Sequence, residues 1–208
     1  MSDGLEDLLR HPAVWRVGDA SAPRGDVLSS GFSALDAVLP GGGWPRGAVT
    51  EMLAGGEGAA ALGLLTRALS RVSGEGGWIV CIASPHLPYA PAFEERGVDA
   101  SRLLVTRGGN DRETLWAAEQ ALKSSACGAV LLWEGESRFS MQVLRRLQLA
   151  AESNGGLSVL FRPPDAKQAP SAAALRLFIE PRPAGFSVTV LKSRGGAPGK
   201  RVVITNPE

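Results

Sequence analysis

The chain has 208 residues, 44% of them hydrophobic, and a formal net charge of +1. That is enough for one good core with at most a small appendage. No run of about 18 uninterrupted apolar residues argues for a membrane span. The acidic start at residues 1–7 lacks the basic and apolar regions of a signal peptide, so a cytoplasmic location with no membrane attachment is expected. Charge is divided unevenly. Residues 1–137 hold 17 Asp+Glu against 11 Lys+Arg, and residues 138–208 hold 4 against 11. Either two oppositely charged solvated surfaces or a basic C-terminal surface for nucleic acid or an acidic partner would account for this.

In chain order, residues 1–28 read as an arm and linker, with Leu5, Leu8, Leu9 and Trp15 on one helical face interrupted by Pro12. Residues 30–36 read as a turn and short helix with Leu35 and Leu39 inward, and residues 40–47 as a shaped loop of Gly, Pro and Trp. Residues 48–53 predict a strand that passes through Gly55, Gly56 and Gly58 into a helix over 59–72, with Leu62, Leu65, Leu69 and Val72 at helical spacing. Residues 77–83 predict a buried strand, followed by a stiff loop holding Pro85, Pro88 and Pro91. Short elements at 93–96 and 103–105 precede a helix over 111–125, with Leu115, Ala118 and Leu122 inward, and a strand over 129–133. A long helix over 139–153 puts Val143, Leu144, Leu147 and Ala151 in the core, with Arg145 and Arg146 outside, before a strand at 157–161. This alternation predicts an α/β fold, a mainly parallel twisted sheet with helices on both faces. After an Ala/Pro-rich loop at 163–174 the rhythm changes, and strands at 176–180, 186–191 and 201–205 read as an antiparallel extension.

A strand, a glycine loop and a helix N-terminus form a ready phosphate cradle. On the P-loop spacing, however, the terminal Gly, Lys and Ser/Thr fall on Ala59, Ala60 and Ala61, and Glu57 adds negative charge. Gly56 to Ala61 also fits G-x-G-x-x-A, but the next strand ends in Ala83-Ser84-Pro85 without the acid a dinucleotide ribose requires. His11 and His86 are far apart, Cys81 and Cys127 read as buried thiols, and no zinc spacing or hydrolase motif occurs. The five tryptophans read as packing residues rather than base-stacking ones.

Two runs carry a resemblance: Ser29-Ser30-Gly31-Phe32-Ser33-Ala34-Leu35-Asp36 and Pro40-Gly41-Gly42-Gly43-Trp44-Pro45-Arg46-Gly47. Gly97-Val98-Asp99 before Leu103-Leu104-Val105, and Lys192-Ser193-Arg194-Gly195-Gly196-Ala197-Pro198, extend it. Collinear from residue 29 to about 205, the chain resembles the RecA family, and within it the ImuA family of bacterial mutagenesis cassettes. The resemblance implies a RecA-like core over 29–208 that lacks the large C-terminal domain of RecA.

It also places the functional positions. The P-loop Lys and Thr fall on Ala60 and Ala61, the catalytic glutamate on Pro85 and the Walker B aspartate on Trp133. Glu134 follows Trp133, but one residue's slip turns a strand side chain to the other face. Those four groups supply phosphate clamping, Mg²⁺ ligation and water activation in the family. The resemblance therefore implies a retained fold without the ATPase, and no catalytic, cofactor or metal residue is expected. The first DNA-binding loop shrinks to residues 135–138, and the second falls on 163–174, with Lys167 and no aromatic. Lys192 and Arg194 fall where RecA filaments reach across to a neighbour's ATP. The implied role is a non-catalytic accessory protein in SOS-induced, error-prone translesion synthesis after DNA damage. The implied partners are an ImuB-like Y-family polymerase subunit, RecA and, indirectly, an error-prone replicative-type polymerase. DNA would be met through the basic C-terminal third, with Arg145, Arg146, Lys192, Arg194, Lys200 and Arg201 as candidates. Alternatives are a cell-division inhibitor of the SulA kind and a residual NTPase with a variant P-loop.

Overall fold

The structure is a computed structural model that describes residues 26–55, 59–107 and 109–205. The expected arm helix around Leu5 to Trp15 and the glycine-loop residues 56–58 lie outside the described residues. Strand β1 (Val27–Leu28) pairs antiparallel with β2 (Trp44–Pro45), and Leu28 and Trp44 are both buried in the core. Residues 27–28, read from sequence as the end of a linker, are thus packed against the main body.

This small ribbon explains the two runs that carry the resemblance. The Asp36 carboxylate, on helix α1 (Ser33–Asp36), accepts from Ser29 Oγ at 2.6 Å and from the Ser30 backbone N–H at 2.8 Å. Arg67 packs over the Phe32 ring at 4.8 Å and against Gly31, whose φ of +78° and lack of space both demand glycine. A Cβ on Gly43 would lie 2.6 Å from the Leu28 carbonyl oxygen, so only glycine lets β1 pass there.

The main sheet runs β10-β9-β8-β3-β7-β6-β4-β5. Its members are β3 (Ala48–Ala54), β4 (Trp78–Ile82), β5 (Leu103–Thr106), β6 (Cys127–Trp133), β7 (Leu157–Arg162), β8 (Leu175–Arg182), β9 (Gly185–Ser193) and β10 (Arg201–Thr205). β3 lies parallel to both β7 and β8, and β4 to both β5 and β6. Among the described strands of this sheet, the β8–β9 and β9–β10 pairs alone are antiparallel. β8, expected within the antiparallel extension, therefore belongs half to the parallel body.

Strand alternation sorts the sheet's side chains into two apolar layers. Met52, Ile79, Cys81, Leu131, Trp133, Val159, Phe161 and Leu177 meet helices α2 (Ala59–Leu62), α3 (Thr66–Gly74) and α4 (Ala90–Glu94) on one face. Val49, Val80, Ile82, Leu132 and Leu160 meet α5 (Asp111–Lys123) and α6 (Met141–Glu152) on the other. The helix expected unbroken over 59–72 contains a 3-10 turn, Gly63–Leu65, opened by a poor helix former. Asn110 and Ser140 cap α5 and α6, accepting from the Glu113 and Val143 N–H groups. Inside α6, Gln148 reaches the sheet, its Oε1 accepting from Val49 N–H at 3.1 Å.

Candidate functional site

β3, β4, β6 and β7 end side by side, and ligands of open parallel sheets bind at such C-terminal strand ends. A cleft of about 470 Å³ opens there, lined by Ala54, Gly55, Pro85, Trp133, Arg162 and Pro163 among others. Its floor is aromatic. Trp133 and Phe161, neighbours in register on β6 and β7, stack with ring centroids 4.5 Å apart and an 18° interplanar angle. Ala83, the residue after β4, lies in the left-handed region at φ +55° and turns the chain toward Pro85. A second groove of about 560 Å³ shares Ala83, Pro85, Trp133, Gly135 and Glu136 with the first, and extends over Leu87, Val105, Arg107 and Phe139.

The described lining of the first cleft has no lysine and no hydroxyl, and its cations are Arg138 and Arg162. Both are already engaged. Arg162 Nη2 donates to Glu134 Oε1 at 2.8 Å and Nη1 to Glu51 Oε1 at 3.3 Å. Arg138 lies 3.6 Å from Glu134 and 3.0 Å from Asp165. Glu134 does face away from Trp133, as strand alternation requires, and Phe139 N–H also donates to its Oε1 at 2.7 Å. Oε1 is thus held by two donors, while the buried Oε2 has no hydrogen-bond partner among the described residues and meets Arg138 at 3.6 Å.

Glu51 extends this anchorage into a buried chain of charges. Its Oε2 accepts from Arg176 Nε at 2.7 Å and its Oε1 from Ser171 Oγ. Arg176 Nη2 in turn donates to the Ala166 carbonyl at 2.8 Å. The side chains of Glu51 and Glu134 are fully buried and that of Arg162 is 1% exposed. Burial works against the Arg162 charge, but Glu134 and Glu51 outweigh it and raise its pKa above the ordinary arginine value. The network ties the segments 135–138, through Phe139 N–H and Arg138, and 163–174, through Ala166 and Ser171, to the centre of the sheet. A glutamate in mid-strand was its only local sign in the sequence.

The six cations proposed from sequence separate into three places. Arg145 and Arg146 are exposed on α6, and Arg146 pairs with Glu119 of α5 at 2.6 Å. Lys192 is half-buried, its Nζ donating to the Ser171 carbonyl at 2.9 Å. Desolvation, with Arg194 and Arg176 nearby, pulls its pKa below the usual lysine value. Arg194 pairs with Glu152 at 3.4 Å. At the sheet edge Arg201 pairs with Glu180 at 3.1 Å, while Lys200 is exposed. Lys167 sits over the Phe178 ring at 4.7 Å. The tryptophans divide as well. Trp44 and Trp133 are core residues, Trp78 is capped by Arg102, and Trp116 stands 64% exposed on α5, so packing does not account for Trp116.

A family model for the RecA N-terminal domain matches residues 4–134. The chain is 32% identical over 199 residues to Protein ImuA of Caulobacter vibrioides, covering 83% of this chain and 81% of that protein. To Protein RecA of Corynebacterium efficiens it is 31% identical over 120 residues, 58% of this chain and 31% of that protein. Among solved structures, the RadB recombinase superposes with a TM-score of 0.66 at 16% identity, over 86% of this chain and 95% of that one. That structural likeness concerns the fold alone.

Proposed function

Because the chain belongs to the ImuA family of RecA-like proteins, we propose that it is a non-catalytic accessory protein of SOS-induced, error-prone translesion synthesis. It acts in the ImuA/ImuB mutagenesis cassette through protein partners: an ImuB-like polymerase subunit, RecA, and through them an error-prone replicative-type polymerase. The observation that carries this reading is the Trp133–Phe161 stack at the strand ends where an active relative needs a metal-binding aspartate. In the family's sequence pattern Ala60, Ala61 and Pro85 fall where the phosphate-clamping lysine, the metal-holding hydroxyl and the water-activating glutamate would stand. A triphosphate brought here would lose hydration without gaining a free cation.

Two measurements test the reading. Titration calorimetry with ATP and Mg²⁺ is expected to give no binding below millimolar concentration, and micromolar binding would overturn the non-catalytic assignment. A pull-down from DNA-damaged cells is expected to recover the ImuB-like subunit. Recovery of the tubulin-like division protein in its place would reassign the chain to SulA-like inhibition.

A further inference from the structure

We propose that α5 and α6 together present a binding face for single-stranded nucleic acid, built around Trp116. It goes beyond the accessory role, and stands whether or not the strand-end cleft takes ATP.

On α5, Arg112, Trp116, Glu119 and Lys123 follow one another at helical spacing along a single stripe. The Glu119–Arg146 ion pair at 2.6 Å brings that stripe against α6. On α6, Gln142 and Leu149 lie one turn to either side of Arg146, and Arg145 is its exposed neighbour. The two helices thus carry an indole 64% open to solvent on α5, a leucine 66% open on α6, and exposed cations along both.

Charge names the ligand. Arg112, Lys123 and Arg145 make no hydrogen bond, ion pair or ring contact with the described residues. Of the other surface cations, Arg46, Arg71, Arg138, Arg194 and Arg201 are each held by a carboxylate, whereas Arg107, Arg182 and Lys200 form no ion pair with the described residues. Within the stripe the one carboxylate, Glu119, is neutralised by Arg146. Asp111 and Glu113 sit in the first turn of α5, where the helix dipole favours them. Arg112 and Lys123 stand about 16 Å apart along the helix at about 1.5 Å per residue. That is the reach of about five stacked nucleotides at about 3.4 Å each. An open aromatic platform between cations that no described residue pairs binds single strands by stacking one base while the cations meet phosphates. A protein partner would require a larger apolar centre than one Trp and one Leu.

The test uses the full chain without nucleotide and a fluorescein-labelled oligothymidylate, followed by anisotropy at low salt. Trp116→Ala is expected to weaken binding roughly tenfold or more, in the range for losing one stacked base, while Trp116→Tyr keeps most of the affinity. Combining Arg112→Ala, Lys123→Ala and Arg145→Ala should flatten the slope of log affinity against log salt by about 2, at about 0.7 per phosphate contact. Arg96→Ala, beside α4 on the other face of the sheet, serves as the control and should change neither. All these positions are exposed, so unchanged circular dichroism and melting will show that the variants fold. Absence of wild-type binding at 50 mM salt (about the low end at which such contacts are strong) overturns the proposal. So does a Trp116→Ala variant that binds like wild type. If that variant keeps the oligonucleotide but loses the ImuB-like subunit, the face docks protein and the proposal is wrong.

Discussion

Arg162→Met removes the one cation shared by Glu51 and Glu134 beneath the sheet. Glu51 keeps Arg176 at 2.7 Å, whereas Glu134 is left with Arg138 at 3.6 Å and the Phe139 N–H. Breaking a buried pair from one side costs about 3–5 kcal/mol, because the surviving charge stays desolvated. Against a typical domain stability of about 5–15 kcal/mol, that is a large fraction. At about 2–4 °C per kcal/mol for a chain of this size, Tm should fall by roughly 6–20 °C. Urea and thermal unfolding measure it directly. Glu134→Gln added to Arg162→Met should recover part of the loss, since it removes the stranded charge. A loss below about 1 kcal/mol, or a double variant showing the full sum of the single losses, would refute the buried-anchor reasoning.

Other outcomes can be stated more briefly. Burial pushes the Cys81 thiol from the ordinary 9.0 up to about 12. Its folded-state value is raised, so its contribution to stability is whole below about pH 9 and lost as pH rises toward 12; Cys81→Ala should lack that alkaline slope. In native alkylation at neutral pH, Cys127, which is partly exposed, should react before the buried Cys81. Gln148→Leu strands the Val49 N–H and should cost about 1–3 kcal/mol in urea unfolding. Ala60→Lys with Ala61→Thr should yield no phosphate release from ATP, because Pro85 and Trp133 remain; turnover above background would show that the lost groups are dispensable.

Much of this architecture is written locally. The helical stripes around Leu144 and Leu147 and the buried runs at β4, β6 and β7 are signals within ten or so neighbours, which is why those elements fall where expected. Trp133 and Pro85 could be placed because the family resemblance runs collinearly through β4 and β6, whose C-terminal ends they lie at or just beyond. Glu51 is different. It looks like a polar residue on a half-exposed strand until its partners Arg162 and Arg176, 111 and 125 residues away, come alongside. Trp116 fails for the opposite reason. It follows the inward Leu115 directly, and only the packing of α5 on α6 decides which of the adjacent large side chains remains outside. The Gly63 break and the β1–β2 ribbon likewise depend on what packs across from them.

The position of β3 has a consequence for synthesis. It is the first strand of the main sheet to be made and ends up between β7 and β8, which begin at Leu157 and Leu175. While β4 can pair with β5 and then β6 as they emerge, β3 has no neighbour among the described strands of the sheet until β7 has been translated. Until then the glutamate at its middle remains in water, at no electrostatic cost, and the strand cannot be buried early against the wrong partner. Closure of so long a loop is slow. A ribosome-stalled chain ending near residue 150 should therefore leave β3 open to protease, and one released past β8 should protect it.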